Sequence, residues 1–273
     1  MSNFQELLSI GIKAAVLAGK EIMDIYNNDF TVEFKDDKSP LTEADKRAHF
    51  KIVAQLSETG LPILSEEGKS IAFEERSKWK LFWLVDPLDG TKEFIKRNGE
   101  FTVNIALIKN NIPVIGVIYA PVMNSLYFAC EGIGSFKIVA DFDYLNHLIQ
   151  SQNIADRFIS LSTKLPVKDS SRPYTVVASR SHSSEETISF IEELKREHAE
   201  LTLVSIGSSL KICLVAEGAA DVYPRFAPTM EWDTAAGHAI ALAAGVKVLN
   251  GHDRVTPVVY NKVNLLNPWF IVL

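Results

Sequence analysis

The sequence predicts a protein with an α+β N-terminal half and an α/β C-terminal half. Three observations support this prediction. A long amphipathic pattern opens the chain, apolar runs joined by short turns fill the region from Lys80 to Val139, and strand and helix patterns alternate from about residue 157. The polar segment from Asp141 to Asp156 separates the apolar runs joined by short turns from the alternating strand and helix patterns. We therefore expect two domains, residues 1–150 and 151–273.

The N-terminal half begins with two helical patterns. Apolar residues between Phe4 and Tyr26 recur at helical spacing, which predicts one long helix with a buried face. A second helix is expected from Thr42 to about Leu56, because Thr42 can cap it and Pro40 lies just before it.

The remaining elements are predicted from short apolar runs and the turns between them. Links such as Asn110-Asn111 and Gly132-Ile133-Gly134 are short, so the strands they join are expected to be antiparallel. The expected strands of the N-terminal half are 81–85, 101–108, 113–119, 125–130 and 135–139. In the C-terminal half we expect strands at 158–161, 175–178, 201–205, 221–223 and 246–249, and helices at 185–196, 208–217 and 233–244.

Composition and charge limit the class of protein. A net charge of −6 over 273 residues argues against a sequence-independent grip on nucleic-acid polymers, which depends on clustered Lys and Arg, but it is compatible with a small anionic ligand. Charges spread through the first 25 residues fit neither a secretory signal nor a membrane span, so we expect a cytoplasmic protein with no transmembrane segment. A peripheral association with the inner membrane stays open. Cys130 and Cys213 lack metal-binding spacing and are expected to be buried, reduced thiols.

Candidate metal ligands follow the apolar run 81–85. Asp86 and Asp89 come directly after it, and Pro87 between them stiffens the turn so that both carboxylates can point into one pocket, with the Leu88 carbonyl available. Carboxylates gathered at the end of a strand are typical of sites for hard cations such as Mg²⁺.

Two further acids and a helix start extend this site. Glu66 follows another short apolar run, and Asp233 opens an apolar helical segment. Gly90-Thr91 begins a short predicted helix, whose free backbone N–H groups could hold a phosphate oxygen. The pattern therefore indicates a phosphatase in which several carboxylates converge and leave open metal positions.

Each acid also has an ordinary structural explanation. An Asp before a Gly is a common turn, and an Asp at a helix start, such as Asp233, is a common N-cap. Thr42 and Asp45 have the spacing of a capping box, and on spacing alone that interpretation is favoured for Asp45. The metal hypothesis rests on the whole set of acids.

These motifs resemble those of a known family. Glu66-Glu67, the segment 86–91 and the segment 232–237 resemble, in order and spacing, the signature motifs of the inositol monophosphatase-like, Mg²⁺-dependent, lithium-sensitive phosphatases. The resemblance covers nearly the whole chain. Residues 91–94, 178–182 and 207–211 are similar to the 3′(2′),5′-bisphosphate nucleotidase branch, the CysQ type of sulfur assimilation.

The resemblance implies a layered αβαβα sandwich with the active site between its two halves. It implies that Asp45 and the Thr91 hydroxyl orient and deprotonate the attacking water. The implied reaction removes the 3′-phosphate of adenosine 3′,5′-bisphosphate by in-line attack without a phosphoenzyme, and action on its 5′-phosphosulfate relative stays open. The implied ligands of two or three Mg²⁺ ions are Glu66, Asp86, Asp89, Asp233 and the Leu88 carbonyl.

A bisphosphate nucleotide also needs a cation for its second phosphate. Lys211, Arg225 and His182 are the candidates. Lys211 could instead be a solvated surface lysine, His182 a capping or loop residue, and Arg225 a structural ion-pair partner. The expected substrate contacts are Gly90, Thr91, His182, Gly207, Ser208, Lys211, Arg225 and Asp233.

Other functions are weighed against this one. An inositol or sugar phosphate phosphatase would need fewer distal cations, and a catalytically silent protein that binds metal or nucleotide is a further alternative. A covalent aspartyl phosphate of the haloacid dehalogenase type is disfavoured, because its second Asp follows the first by two positions and here the offset is three. Gly132-Ile133-Gly134 lacks the third glycine of a dinucleotide-binding motif.

Overall fold

The structure is a computed structural model that describes residues 4–34, 40–167, 169, 171–178 and 184–273. No helix within these ranges is both long and apolar enough to cross a lipid bilayer. The helices are α1 (Phe4–Tyr26), α2 (Glu43–Leu56), α3 (Phe73–Arg76), α4 (Thr91–Ile95), α5 (Phe142–Ile149), α6 (Ile154–Leu161), α7 (Glu185–Glu197), α8 (Leu210–Ala216) and α9 (Glu231–Ala243). The strands are β1 (Val32–Phe34), β2 (Pro40–Thr42), β3 (Ile63–Ser65), β4 (Leu81–Asp89), β5 (Thr102–Lys109), β6 (Ile112–Ala120), β7 (Ser125–Cys130), β8 (Gly134–Val139), β9 (Thr163–Leu165), β10 (Tyr174–Ala178), β11 (Leu201–Ser205), β12 (Tyr223–Arg225), β13 (Val248–Asn250) and β14 (Phe270–Val272).

The largest sheet has seven strands in the order β3-β4-β5-β6-β7-β8-β9. Strand β3 is parallel to β4, and the other neighbouring pairs of this sheet are antiparallel. The tight link between β5 and β6 uses Asn110 and Asn111, whose φ angles of 49° and 67° suit a two-residue hairpin turn. The antiparallel arrangement expected between residues 80 and 139 is therefore confirmed.

The two faces of this sheet support separate apolar clusters, because successive strand residues point to opposite sides. On one face, Trp83 and Val117 pack with residues of α1 and α2. On the other face, Leu84 and Ile118 pack with residues of α8 and α9. The sheet is thus covered by helices on both sides.

Further strands lie beyond α8 and α9. Strands β10 and β11 are parallel, and β14 pairs with both β12 and β13. A bridge between Val176 and Val222 joins these two small sheets. Val176 and Ile271 pack with Phe190 of α7 on the outer side. The order of helix, sheet, helix, strand and helix confirms the layered αβαβα sandwich.

One expected strand is part of a helix, and the strands expected at 221–223 and 246–249 both begin two residues later than predicted, as β12 and β13. Residues 158–161 form the end of helix α6, in which Ala155 and Phe158 are the buried residues. A four-residue run with three apolar residues cannot distinguish a buried strand from a helix, so this prediction was wrong. Just before β12, Val222 forms a bridge with Val176 of β10, and the Asp221 carboxylate binds Arg172 and the Thr175 N–H.

The polar segment 141–156 contains helix α5 and the start of α6. The Asp141 side chain caps α5 by accepting the Tyr144 N–H at 2.9 Å. Strand β9, which follows this segment, pairs with β8 in the large sheet. The division of the chain into two domains near residue 150 stays a prediction.

Replacing Gly116 of β6 with Ala is expected to destabilise the protein by about 1–3 kcal/mol, because a Cβ there would lie 2.2 Å from the Ala236 carbonyl oxygen of α9. Urea unfolding measures this change. The matched control is Gly11→Ala in α1, where the added Cβ would lie 3.4 Å from the Val117 side chain, so that the better helix propensity of Ala applies. A Gly116→Ala variant as stable as Gly11→Ala would contradict the close contact between β6 and α9.

Candidate active site

Strand β4 carries Asp86 and Asp89 to the same end of the large sheet. Asp86 lies opposite Asn104 of β5 and Asp89 lies opposite Thr102, so β4 has one extra residue between these two pairs and forms a bulge. Within the bulge, Asp86 Oδ1 accepts the Leu88 N–H at 3.0 Å. We use the term acidic corner for Glu66, Asp86, Asp89 and Asp233.

The other two acids of the corner come from separate elements. Glu66 follows β3, the parallel neighbour of β4, and its N–H donates to the Val85 carbonyl at 3.1 Å. Asp233 lies in the first turn of α9, where its Oδ2 accepts the Met230 N–H at 2.8 Å. Met230 therefore occupies the N-cap position, and Asp233 supplies the side-chain contact three residues later. The alternative that Asp233 is itself the N-cap was wrong.

The acids of the corner repel one another in a buried environment. Burial raises the pKa of Asp86 well above its usual range, and the carboxylates of Glu66, Asp89, Asp233 and Asp45 raise it further. Burial likewise raises the pKa of Asp233 well above its usual range, with repulsion from Asp89 and Glu66. A positive charge placed among these carboxylates would reduce the upward shift in the pKa of both Asp86 and Asp233.

Three neighbours of Asp89 favour its charged form. Burial raises its pKa to about 6, although the Lys211 ammonium and hydrogen bonds from Asn104 and Ser209 all oppose that shift. The Ser209 N–H donates to Asp89 Oδ2 at 2.6 Å, and Asn104 Nδ2 donates to the same oxygen at 3.3 Å. Protein donors thus hold one oxygen of this carboxylate in place.

The chemistry of this donor set fits a hard divalent cation, because its candidate ligands are oxygen atoms and most of them are acidic. Within the part of the chain that the structure describes, no three His, Cys, Asp or Glu side chains form a group arranged to hold a metal ion by themselves. Mg²⁺ usually keeps several waters and is bound through one or two carboxylates.

The two oxygens of Asp45 have different partners. Its Oδ2 accepts the Thr42 N–H at 2.7 Å and the Thr42 hydroxyl at 2.6 Å, which confirms the capping box at the start of α2. Its Oδ1 lies 3.3 Å from the Thr91 hydroxyl, which is also 3.4 Å from the Leu88 carbonyl oxygen. Burial raises the pKa of Asp45, although the Thr42 hydrogen bonds oppose the shift. The capping contact and the contact with Thr91 coexist.

A cavity of about 360 Å³ lies beside the acidic corner. Asp89, Gly90 and Asp233 line one part of it, and the segment from Ile206 to Ser209 lines another. Gly90 has φ 94°, and an added Cβ would lie 3.1 Å from the Glu100 carbonyl oxygen, so a glycine suits this position. A ligand in the cavity can therefore contact the corner and this segment together.

Lys211 is a buried cation of the same cavity. It is 8% exposed, so the alternative of a solvated surface lysine was wrong. Its Nζ donates to the Ser208 carbonyl at 2.6 Å. Burial lowers its pKa to about 8, despite the attraction of Asp89. The side chain therefore remains largely charged at neutral pH.

Two more expected substrate contacts line the cavity. Arg225 donates to the Pro228 carbonyl at 3.1 Å, and Ser208 has a left-handed backbone with φ 50°. Arg225 Nε and Ser208 Oγ are buried and have no hydrogen-bond partner among the described residues. Such groups favour a ligand that can bond to them. His182, the remaining candidate, lies outside the described residues.

Three polar side chains beside Asp89 were not predicted from the sequence. Thr102 and Asn104 of β5 and Ser209 before α8 are all buried, and their side chains are hydrogen-bonded to one another. The available signal was the pair of polar residues two positions apart in an otherwise apolar strand, which places both on one face.

Comparisons with known proteins agree with this architecture. The model of the inositol monophosphatase family matches residues 3–268. The 3′(2′),5′-bisphosphate nucleotidase CysQ of Salmonella typhimurium is 45% identical over 262 residues, which cover 93% of this chain and 94% of that protein. CysQ of Haemophilus influenzae is 34% identical and covers 98% of this chain and 93% of its own length.

Solved structures give the same result. The crystal structure of CysQ from Bacteroides thetaiotaomicron, described as a bacterial member of the inositol monophosphatase family, has a TM-score of 0.90 and 52% identity, and the match covers 100% of this chain and 98% of that one. An inositol monophosphatase from Anabaena has a TM-score of 0.69 at 23% identity, with 99% and 91% of the two chains covered, and so shares the fold.

Proposed function

This chain belongs to the inositol monophosphatase family, and we propose that it is a metal-dependent 3′(2′),5′-bisphosphate nucleotidase. Its proposed reaction converts adenosine 3′,5′-bisphosphate to AMP and phosphate, with the 5′-phosphosulfate relative as a second substrate. The observation that carries the proposal is the acidic corner, which borders a cavity with a buried lysine in its wall. A phosphatase that acts on a nucleotide with two phosphate groups needs both features.

Glu66, Asp86, Asp89, Asp233 and the Leu88 carbonyl are the residues that would hold two or three Mg²⁺ ions. Bound Mg²⁺ supplies Lewis-acid stabilisation of the charge on the phosphate and activates water. The chain's own residues fix where these ligands stand, since the β4 bulge, the Met230 N–H and the Ser209 N–H each hold one carboxylate.

Asp45 and Thr91 would orient and deprotonate the attacking water. The Thr91 hydroxyl has one hydrogen, which it can donate to Asp45 Oδ1 or to the Leu88 carbonyl, and it keeps lone pairs that can accept a hydrogen bond from water. The raised pKa of Asp45 makes its carboxylate a better proton acceptor than an ordinary Asp. Thr42 bonds to Oδ2 of Asp45, so Oδ1 faces the Thr91 hydroxyl and is the oxygen proposed to take up the proton.

The substrate class is best tested with a panel of phosphate esters in the presence and absence of Mg²⁺. We expect adenosine 3′,5′-bisphosphate to be hydrolysed much faster than inositol 1-phosphate or fructose 1,6-bisphosphate, with AMP as the nucleotide product. Preference for either of the other two esters would favour the inositol or sugar phosphatase alternative. No turnover of any ester would favour the silent metal- or nucleotide-binding protein.

Replacing Lys211 with Ala is expected to raise the KM for adenosine 3′,5′-bisphosphate by about tenfold to a hundredfold, because the buried ammonium is proposed to meet the second phosphate. Adenosine 3′-monophosphate lacks that phosphate, so its KM should change much less. Steady-state kinetics with both nucleotides measures the difference. The control variant is Lys195→Ala, which removes an exposed lysine paired with Glu192. Equal losses for both nucleotides would contradict the role of Lys211.

Three finer points belong to the same proposal. The protein is proposed to act in sulfur assimilation in the cytoplasm, and a peripheral association with the inner membrane stays open. Lithium is proposed to inhibit it, as the family resemblance implies. Cell fractionation tests the location of the protein and its membrane association, and assays in millimolar lithium test the inhibition. Both experiments are separate from the substrate panel.

A further inference from the structure

Asn104 lies at the centre of a buried polar network formed by Thr102, Asn104 and Ser209. Its Oδ1 is 3.0 Å from the Thr102 hydroxyl and 2.8 Å from the Ser209 hydroxyl, and the two hydroxyls are 2.9 Å apart. Its Nδ2 donates to Asp89 Oδ2 at 3.3 Å. Thr102, Asn104 and Ser209 are at most 4% exposed, so their hydrogen bonds are made in a low-dielectric environment.

The surroundings of Asn104 allow only one orientation of its amide. Two hydroxyl donors converge on one end of the group, and the Asp89 carboxylate faces the other end. A carboxylate can only accept, so the amide NH₂ must point toward Asp89 and the amide oxygen toward the hydroxyls. The network therefore couples the position of the Ser209 hydroxyl to a hydrogen bond on Asp89.

Ser209 also belongs to the segment that lines the cavity. Its N–H donates to Asp89 Oδ2 at 2.6 Å, and two residues earlier the Gly207 N–H donates to Glu100 Oε2 at 2.8 Å. Lys211, two residues later, donates to the Ser208 carbonyl at 2.6 Å. The position of this segment and the position of the Asp89 carboxylate thus depend on shared hydrogen bonds.

We propose that Asn104 is a positioning residue that couples nucleotide binding in the cavity to cation binding at the acidic corner. This inference rests on the proposed function. Among the described residues, Asn104 is linked to the proposed cation position through Asp89 and to the cavity through Ser209. When a nucleotide orders the segment 206–211, the network holds Asp89 in place, and a cation bound to Asp89 orders that segment in turn, since coupling between two sites is reciprocal.

The test compares AMP affinity with and without Mg²⁺ by isothermal titration calorimetry. In the wild-type protein we expect Mg²⁺ to tighten AMP binding by about tenfold. In Asn104→Leu, the new side chain has a similar size and adds no charge. Mg²⁺ should tighten AMP binding to this variant by a factor of less than about two. Ser209→Ala keeps the N–H bond to Asp89 but removes the hydroxyl. The effect of Mg²⁺ on AMP affinity in this variant should therefore lie between those in the wild-type protein and in Asn104→Leu. The double variant should resemble Asn104→Leu alone, because both changes break one network.

The control variant is Ser135→Ala, which removes a buried hydroxyl from another strand of the same sheet and should keep the wild-type factor. A purely structural role of Asn104 would lower thermal stability and leave the factor unchanged, and that result would overturn the inference. If Asn104→Leu fails to fold, Ser209→Ala decides, and a wild-type factor in that variant would overturn the inference as well. Turnover of adenosine 3′,5′-bisphosphate by the wild-type protein is measured separately, so its absence would contradict the proposed function alone.

Discussion

Replacing Asp89 with Asn is expected to abolish hydrolysis and at the same time to stabilise the metal-free protein. The amide oxygen of Asn can still accept the Ser209 N–H, which lies 2.6 Å from Asp89 Oδ2, so the local fold should be kept. The change removes one negative charge from the acidic corner and with it a proposed cation ligand. We expect turnover to fall by about a thousandfold or more, as measured by phosphate release in saturating Mg²⁺.

The gain in stability follows from the raised pKa of Asp89. Burial raises this pKa from 3.8 to about 6, so the folded state binds the proton more tightly than the unfolded chain does. The free energy of unfolding therefore falls as the pH rises through this window, and the full penalty of about 2–3 kcal/mol is present above pH 6. Asp89→Asn removes the penalty. Its thermal midpoint without metal should exceed that of the wild-type protein by several degrees at pH 8 and match it near pH 4.

Asp143→Asn is the matched control, because Asp143 is an exposed acid in the first turn of α5, away from the corner. It should change neither turnover nor the thermal midpoint appreciably. An Asp89→Asn variant that is inactive but less stable than the wild-type protein at pH 8 would contradict the repulsion within the corner. A variant that retains turnover would contradict the role of Asp89 as a ligand.

Replacing Asp45 with Asn is expected to lower kcat by about a hundredfold to ten-thousandfold while the protein remains folded. The amide oxygen can still accept the Thr42 N–H, now 2.7 Å from Asp45 Oδ2, so the cap of α2 is kept. An amide cannot take up a proton at neutral pH, and the variant therefore loses the proposed base next to Thr91. Steady-state kinetics and thermal unfolding of the same sample measure both quantities.

Thr42→Ala is expected to lower stability while keeping most of kcat, which is the opposite of Asp45→Asn. It removes the hydroxyl that accepts the Ala44 N–H at 3.2 Å, and it should cost about 0.5–2 kcal/mol of stability. Asp45 keeps its bond from the residue 42 N–H, so kcat should fall far less than in Asp45→Asn. If Asp45→Asn loses only stability and Thr42→Ala loses the same amount, Asp45 acts as a cap alone.

Long periodic patterns predicted the fold well. Helix α1 has the bounds expected from its apolar spacing, and strand β7 lies where its flanking turns place it. The short run 158–161 was assigned wrongly because four residues are too few to show a period, and its helical state depends on α6 as a whole. Tertiary packing decides such segments.

The site was predictable to the extent that its residues are neighbours in the sequence. Asp86 and Asp89 share one bulge of β4, and their proximity follows from three positions of spacing. Glu66 depends on β3 lying parallel to β4, and Asp233 depends on α9 packing against the large sheet. Both acids were expected in the site because they lie at element ends, and the family resemblance supported this, but spacing alone could not show how the fold brings them together.

The contacts of Asn104 were beyond sequence reasoning. Its partner Ser209 lies 105 residues away, and a buried Asn in a strand indicates only that some hydrogen-bonding partner exists. The burial of Lys211 could not be predicted either, because it depends on residues that are distant in the sequence. A lysine shortly after two serines does not by itself indicate that its side chain is buried in a cavity wall.

Hydrolysis of a nucleotide bisphosphate by this protein is expected to require divalent cations bound at the acidic corner. The most direct measurement is the rate of phosphate release from adenosine 3′,5′-bisphosphate as Mg²⁺ is titrated into protein treated with EDTA. We expect no release without the cation, a saturable rise as Mg²⁺ is added, and AMP as the nucleotide product. Release at the full rate in excess EDTA, or no release at any Mg²⁺ concentration, would contradict this expectation.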